Sequence, residues 1–216
     1  MAYYFPEGSR FQFATVFETA KGVSAVTNTN PAQASSNAHG YAQNDELLFT
    51  SGWEDASDTI WRAGAVAANT VDIKGLNASS TNMFPAGGGT GTLQKVGGWV
   101  EIPQVLNIQG NGGDPKFNTV DPLSRRNAIN VPVGFNPMSL TLTLGHDASL
   151  PAYQQMLDVS RVLGRVGFKI IISGGAVGYG YGYMAVSEMP NLTKGQANSV
   201  PCSISLLGRF ITYAGA

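Results

Sequence analysis

The sequence predicts a mainly β protein with a single helix, and three observations carry that reading. Ser139-Leu-Thr-Leu-Thr-Leu144 alternates polar and apolar without a break, the period-two pattern of a half-buried strand. Residues 23–96 run as short β-type segments parted by polar turn clusters. Only the stretch after Ser149 shows helical spacing of its apolar residues.

Taken in order, Tyr3-Tyr4-Phe5-Pro6 reads as a short aromatic arm that orders when something binds it. Phe11, Phe13, Thr15 and Phe17 alternate with smaller residues and predict an opening strand over about residues 10–18. Five short strands follow: Val23–Val26, Glu46–Thr50, Thr59–Val66, Thr70–Ile73 and Gly91–Val96. The turns between them are Asn28-Thr-Asn-Pro31, Ala38-His-Gly40, Gln43-Asn-Asp45 and Asn77-Ala-Ser-Ser80, and the spacing predicts a compact small β-barrel or sandwich. Gly87-Gly-Gly89 and Gly97-Gly98 flank the last strand and let the chain return to a main body.

Trp99-Val-Glu-Ile-Pro-Gln-Val-Leu-Asn-Ile108 predicts one long strand with Pro103 at an edge or bulge. Residues 109–137 are rich in Gly, Asn, Pro and charge, including Arg125-Arg126. A loop of that length inside a compact domain is commonly functional, and a two-stranded arm reaching to a partner is its expected form. Ser149 is the expected cap of a helix over about Leu150–Leu163. Pro151 sits in its first turn, Tyr153, Met156, Leu157 and Ser160 form one stripe, and Gly164 ends it. A single stripe packs a single face, so the helix lies against the sheet. Residues 167–173 form the next strand, Gly174–Gly182 the turn and Tyr181–Glu188 the return. A last strand runs over Ser199–Tyr213, alternating around Cys202, Ile204 and Leu206.

Composition narrows the function. Only 12% of the 216 residues are charged, roughly half the usual share, and 27 are glycine. Low charge with many turn residues suits a β-rich fold whose surface is largely covered by neighbours. A net charge of −1 gives no electrostatic grip on phosphates. One cysteine excludes an internal disulfide framework. The opening Met1-Ala-Tyr-Tyr-Phe-Pro-Glu-Gly8 lacks the regions of a signal peptide, and no apolar run reaches the roughly 18–20 residues of a membrane helix. A cytosolic, soluble product is therefore expected, with the glycosylation patterns at Asn77-Ala-Ser79 and Asn191-Leu-Thr193 arising by chance.

No grouping of residues carries chemistry. His39 sits in an Ala-His-Gly turn and is expected to orient it. His146-Asp147 is half of an acid–base or metal site without further ligands at workable spacing, so it reads as a turn leading into the helix. Cys202 falls on an alternating strand and is expected to be a buried, inert thiol. Gly87-Gly-Gly-Thr-Gly-Thr92 lacks the lysine and the following helix of a phosphate loop. Gly178-Tyr-Gly-Tyr-Gly-Tyr183 lacks the basic groove of a base-stacking platform and reads as a glycine hairpin with packed tyrosines. The carboxylate pairs Asp45/Glu46 and Glu54/Asp55 are expected to be solvated in turns. No catalytic residue, metal ligand or cofactor is assigned, and an enzyme is not expected.

Several of these stretches resemble the major tail tube protein of long-tailed, non-contractile bacteriophages. They are Trp99–Ile108, the polar arm ending in Val131-Pro-Val-Gly134, Ser139–Leu144, the helix at Pro151-Ala-Tyr153, Tyr183-Met-Ala-Val-Ser-Glu-Met-Pro190, and Leu192-Thr-Lys194 to Leu207. Val23–Pro31 with Ala38-His-Gly40 and Ser51-Gly-Trp53 is similar to one branch of the same family, so the resemblance covers nearly the whole chain.

That resemblance implies a β-sandwich or barrel tube core with one flanking helix, formed by residues 1–22 and 97–216. Residues 23–96 would be an inserted small β-domain on the outer surface. It implies hexameric rings joined by strand edges, stacked through the N-terminal arm and the 109–137 loop, with double-stranded DNA passing non-specifically down the bore. Because a basic lumen would retain DNA and the chain is near neutral, the lumen-facing residues are expected to be neutral or acidic. Tape measure, tail-tip and terminator proteins would be the partners at the ends. The chain would be made in the bacterial host cytoplasm, would insert in no membrane and would end in the virion tail. Two alternatives fit parts of the chain. One is another β-rich virion component, such as a tail terminator or head decoration protein. The other is a carbohydrate-binding module in residues 23–96, with Trp53 and Trp61 as stacking faces.

Overall fold

The structure is a computed structural model that describes residues 7–215; the aromatic arm at Tyr3–Pro6 lies outside the described residues. In chain order the first strands are β1 (Arg10–Ala14), β2 (Lys21–Val23), β3 (Ala25–Val26), β4 (Ala32–Ser35), β5 (Glu46–Ser51), β6 (Thr59–Val66), β7 (Thr70–Lys74) and β8 (Gly91–Lys95). Then come β9 (Val100–Ile102), β10 (Val105–Asn111), β11 (Pro115–Val120), β12 (Ile129–Phe135), β13 (Ser139–Gly145) and the helix α1 (Pro151–Arg161). Strands β14 (Arg165–Ile171), β15 (Val177–Val186), β16 (Ser199–Leu206) and β17 (Ile211–Tyr213) finish the chain.

An eight-stranded antiparallel sheet follows the order β10-β13-β16-β15-β14-β1-β9, with β17 also pairing β15. Its two end strands, β9 and β10, are consecutive in the chain and joined only by the turn at Pro103-Gln104. The ends of the sheet therefore meet, and it curls almost into a barrel. Pro103 terminates a strand here instead of sitting within one, which splits the single strand expected over residues 99–108.

The core of this sheet follows from side-chain parity. Leu140, Leu142 and Leu144 of β13 are buried beside Phe11, Phe13, Val166, Phe168, Met184 and Ile204. Each such leucine contributes about 1.5–3 kcal/mol by leaving water. Helix α1 lies across β15 and β9 and adds Ala152, Tyr153, Met156 and Leu157 to the same core. The Ser160 hydroxyl accepts a hydrogen bond from Val186 N at 2.8 Å and fixes the helix to the end of β15.

Both helix ends depart from the sequence reading. Leu150, not Ser149, is the N-cap, and no side chain caps it. The Ser149 amide and hydroxyl both donate to Asp147 Oδ1, at 2.9 and 2.6 Å, so the hydroxyl is already engaged in a local turn. Those bonds also hold the Asp147 carboxyl below its ordinary pKa. At the C-terminus, Leu163 N donates to Ser160 O and Gly164 N to Val159 O, the paired bonds of a Schellman motif. The left-handed position of that motif is Leu163 (φ 51°), one residue before the glycine expected there.

A second, seven-stranded sheet takes the order β2-β8-β5-β6-β7-β4-β3, again with chain-consecutive end strands, parted by Ser24. It encloses its own core, including Leu47, Phe49, Trp53, Trp61, Ile73, Phe84 and Leu93. Sequence reading found five strands here. It merged β2 with β3 and missed β4, whose Ala32 and Ala34 are buried but lack the β-branched signature of a strand.

Strand β15 joins the two bodies. The stretch expected as a glycine turn is strand: the turn lies at Gly174-Gly175, and Gly178–Gly182 pairs with β14, β16 and β17. A Cβ on Gly180 would sit 2.4 Å from the Phe168 ring, and one on Gly178 would sit 2.2 Å from Phe210. The glycine face is thus filled by the stacked rings of Phe11, Phe168 and Phe210. The opposite face carries Tyr179 and Tyr181, which pack with Ala14, Leu48, Ile60 and Val96 between the two sheets. The last expected strand is also broken: β16 and β17 are separated at Leu207–Phe210.

Candidate assembly interface

Strands β11 and β12 form a two-stranded antiparallel ribbon that pairs with neither large sheet. Its root is fixed by Gly113 N to Asn136 O (3.1 Å) and Asn136 N to Asp114 O (2.9 Å). Gly112 is required there, because its φ is 81° and a Cβ would lie 2.0 Å from Pro137 O. Every residue of both strands is exposed. The pairs Val120↔Ile129 and Asn118↔Val131 place Val120, Ile129 and Val131 on one face with Asn118, and Phe117↔Pro132 falls on the other. The other face carries Thr119 and Asn130, whose side chains are hydrogen-bonded at 2.8 Å. A ribbon that exposes Phe117, Val120, Ile129, Val131 and Val133 carries more apolar surface than a solvated arm needs, which suits contact with another surface.

Free sheet edges add to this surface. Among the described residues β9 pairs only with β1, and β10 only with β13, so each leaves one row of backbone groups open.

A polar cluster missed by sequence reading lies between the two sheets. Glu46, expected to be solvated, accepts from Tyr179 Oη (2.6 Å), Lys169 Nζ (3.2 Å) and Trp99 Nε1. Arg62 in turn donates to Tyr179 Oη from Nε (3.0 Å) and Nη2 (2.7 Å), and its guanidinium lies over the Tyr179 and Tyr213 rings. Burial and the neighbouring Glu46 carboxylate raise the Tyr179 hydroxyl well above its ordinary pKa, and Arg62 opposes that shift only in part. The partners are separated from Glu46 by more than a hundred residues in some cases, so no local pattern could have revealed them. The cluster clamps one sheet to the other. Asp55 is likewise engaged across the junction, in an ion pair with Arg209, and Asp45 pairs with Lys95 at 3.0 Å.

The other residues singled out in the sequence are structural. His39 is buried; its Nδ1 accepts from Tyr41 N at 3.0 Å while Nε2 lies 2.9 Å from Ala67 O, which holds the turn. His146 packs against the Tyr153 ring. Cys202 is fully buried, and desolvation pushes its thiol up to about 12. Trp53 and Trp61 are buried and donate to Pro85 O (2.8 Å) and Ala56 O (3.1 Å), so neither ring offers a stacking face. Gly88 and Gly89 of the glycine run pack against the Trp53 ring. Among the described residues no three His, Cys, Asp or Glu side chains gather as a metal site.

The family model described as "Phage tail tube protein, TTP" matches residues 51–215. No curated protein sequence matches the chain. Among solved structures the chain is similar in part to the tail of an empty GTA particle refined with C6 symmetry: 11% identity, TM-score 0.44, covering 55% of this chain and 88% of that one. It is also similar in part to the SPP1 tail tube from solid-state NMR and cryo-EM: 12% identity, TM-score 0.41, covering 56% of this chain and 70% of that one.

Proposed function

The chain belongs to the phage tail tube protein family, whose model matches more than three-quarters of its length, and from that premise we propose that copies of it form hexameric rings that stack into a conduit for DNA. Its place is the virion tail. The observation that carries the assembly reading is the fully exposed, apolar-rich ribbon within residues 109–137. The free edges of β9 and β10 supply the side-to-side contact: a closed ring satisfies each edge with the next subunit, where a monomer leaves it open. Tape measure, tail-tip and terminator proteins are the partners at the ends of the stack, and synthesis takes place in the host cytoplasm without insertion in a membrane. No helix among the described residues is long and apolar enough to span a membrane.

In this reading residues 1–22 and 97–216 are the tube wall, and 23–96 are a small barrel on its outer side. The supporting observation is the separate core of the seven-stranded sheet, which begins at Lys21. The role is structural and not catalytic, a reading supported by the buried thiol, the buried His39 and the engagement of Asp45, Glu46 and Asp55 in ion pairs. Electron microscopy of the purified protein tests the assembly. Rings and stacked tubes are expected, whereas persistent monomers at high concentration would overturn it. Replacing residues 114–136 by a short glycine linker should leave folded protein that no longer stacks.

A further inference from the structure

At the root of the ribbon lies a cleft of ≈ 530 Å³, floored by Phe135, Met138, Leu207, Phe210 and Ile211 and rimmed by Glu54 and Asp55. A second apolar cleft adjoins it through Met138 and Phe210. Three of the floor residues, Phe135, Leu207 and Phe210, are 74%, 41% and 37% exposed, too much apolar surface to leave in water without purpose. On the acidic rim, Asp55 is paired with Arg209, while Glu54 has no ion-pair partner among the described residues.

The ribbon's tip has the complementary character. Residues 121–128, beginning Asp121-Pro-Leu-Ser-Arg-Arg126, join β11 to β12, and Leu123 at 108% is the most exposed large apolar residue described. Arg125 and Arg126 follow it, both exposed and without a carboxylate partner among the described residues. The tip thus presents one apolar knob next to two cations. The cleft presents an apolar hole next to a free carboxylate.

The two cannot meet within one molecule. Each ribbon strand extends about 20 Å from the root at about 3.4 Å per residue, and the paired backbone cannot fold back onto its own base. We propose that the ribbon tip of one copy seats in the ribbon-root cleft of another, with Leu123 in the apolar floor and Arg125 or Arg126 at Glu54. The contact is head-to-tail, which either closes into a ring or repeats without closing; in the tube reading it is the one that joins each ring to the next. It rests on the reading of the chain as a stacking tube subunit and names the surface that receives the ribbon.

Disulfide trapping tests it on the full chain. Leu123→Cys and Leu207→Cys variants, mixed in equal amounts under assembling conditions and oxidised, should cross-link as heterologous pairs, and each variant alone should not. Buried Cys202 does not compete. Leu123→Asp, which would bury a carboxylate in the floor, should raise the critical concentration for stacking at least about tenfold. Glu54→Arg and the double change Arg125→Glu/Arg126→Glu should each weaken stacking, and combining them should restore it. Stacked tubes that neither cross-link nor respond to Leu123→Asp would overturn the assigned seat while leaving the tube reading intact. Wild-type protein that never assembles would overturn both.

Discussion

Replacing Glu46 with alanine removes the shared acceptor at the junction of the two sheets, and the geometry sets the size of the effect. The carboxylate takes hydrogen bonds from Tyr179, Lys169 and Trp99. Bonds to charged groups contribute about 1.5–3 kcal/mol each, and removing one side of a buried pair typically costs about 3–5 kcal/mol. The side chains of Glu46 and Lys169 keep 20% and 14% of their exposure, so water screens part of the loss. The net expectation for Glu46→Ala is a destabilisation of about 3 kcal/mol. Glu46→Gln keeps one acceptor oxygen, enough for the tyrosine bonded at Oε1 or the indole bonded at Oε2 but not both, and gives up the charge facing Lys169, so it should recover only part of the loss. Urea unfolding of the unassembled protein, followed by tryptophan fluorescence, measures both, since Trp99 is itself a partner. Tyr179→Phe completes a double-mutant cycle, in which a coupling above about 1 kcal/mol is expected. A Glu46→Ala variant within about 0.5 kcal/mol of the parent would refute the clamp, because surface carboxylates behave that way.

Leu163→Gly should stabilise the protein by about 0.5–1 kcal/mol, because the left-handed backbone costs leucine about 1–2 kcal/mol and the glycine's extra unfolded-state freedom returns only part of that. A melting temperature a few degrees higher is the readout; a lower one refutes strain at this cap. Gly180→Ala should destabilise by about 2 kcal/mol or more, since its Cβ would press on a Phe168 ring already stacked between Phe11 and Phe210; a neutral result by urea unfolding would refute the packing account. Tyr41 and Cys202 both have pKa values raised to about 12 by burial, Tyr41 also by Glu18 and Asp45, so the unfolded chain releases these protons first. Their contribution to stability is complete below about pH 9 and is lost as pH rises toward 12, so the urea midpoint should fall over that window; a flat or rising midpoint refutes it. Cys202 should resist a thiol reagent at pH 8 until the protein is unfolded.

The features visible in the sequence are those governed by neighbours a few residues away. Ser139–Leu144 is legible because strand parity has a period of two, and the apolar stripe at Tyr153, Met156 and Leu157 because helical spacing is equally local. The two-stranded ribbon is legible from its length and turn composition. What was misread depended on distant partners. Gly178–Tyr183 looks like a turn until Phe168 and Phe210 are known to occupy the space above the glycines. Strand β4 looks like loop because its buried positions, Ala32 and Ala34, are alanines, which have little β propensity. Glu46 looks solvated because its three donors come from β14, β15 and the segment before β9. Ser149 reads as a cap because the rule for caps is local, whereas in the fold its amide and hydroxyl are engaged by Asp147.

The same alternation in β15 accounts for how a chain with so few charges holds two cores together. One strand face must be empty of side chains so that three phenylalanines can stack across the first barrel; the other must be broad and polar-tipped so that the second barrel can dock. Glycine and tyrosine at successive positions meet both demands in one strand, and a one-residue slip would exchange them. The tyrosine hydroxyls then reach groups of the other sheet, Tyr179 to Glu46 and Arg62, while Lys74 O accepts from Tyr213 on the adjoining β17. Since β15 belongs to the first barrel and its tyrosines to the junction, the smaller barrel is fixed to the larger through a rigid strand and not only by the connecting chain. A subunit joined to its neighbours through the larger barrel therefore carries the smaller one in a set orientation. Double substitution of Tyr179 and Tyr181 by alanine should free it: limited proteolysis should then cut the chain near residues 18–20 and 97–98, where the parent resists, and equal resistance would show that the connecting segments alone hold the two bodies.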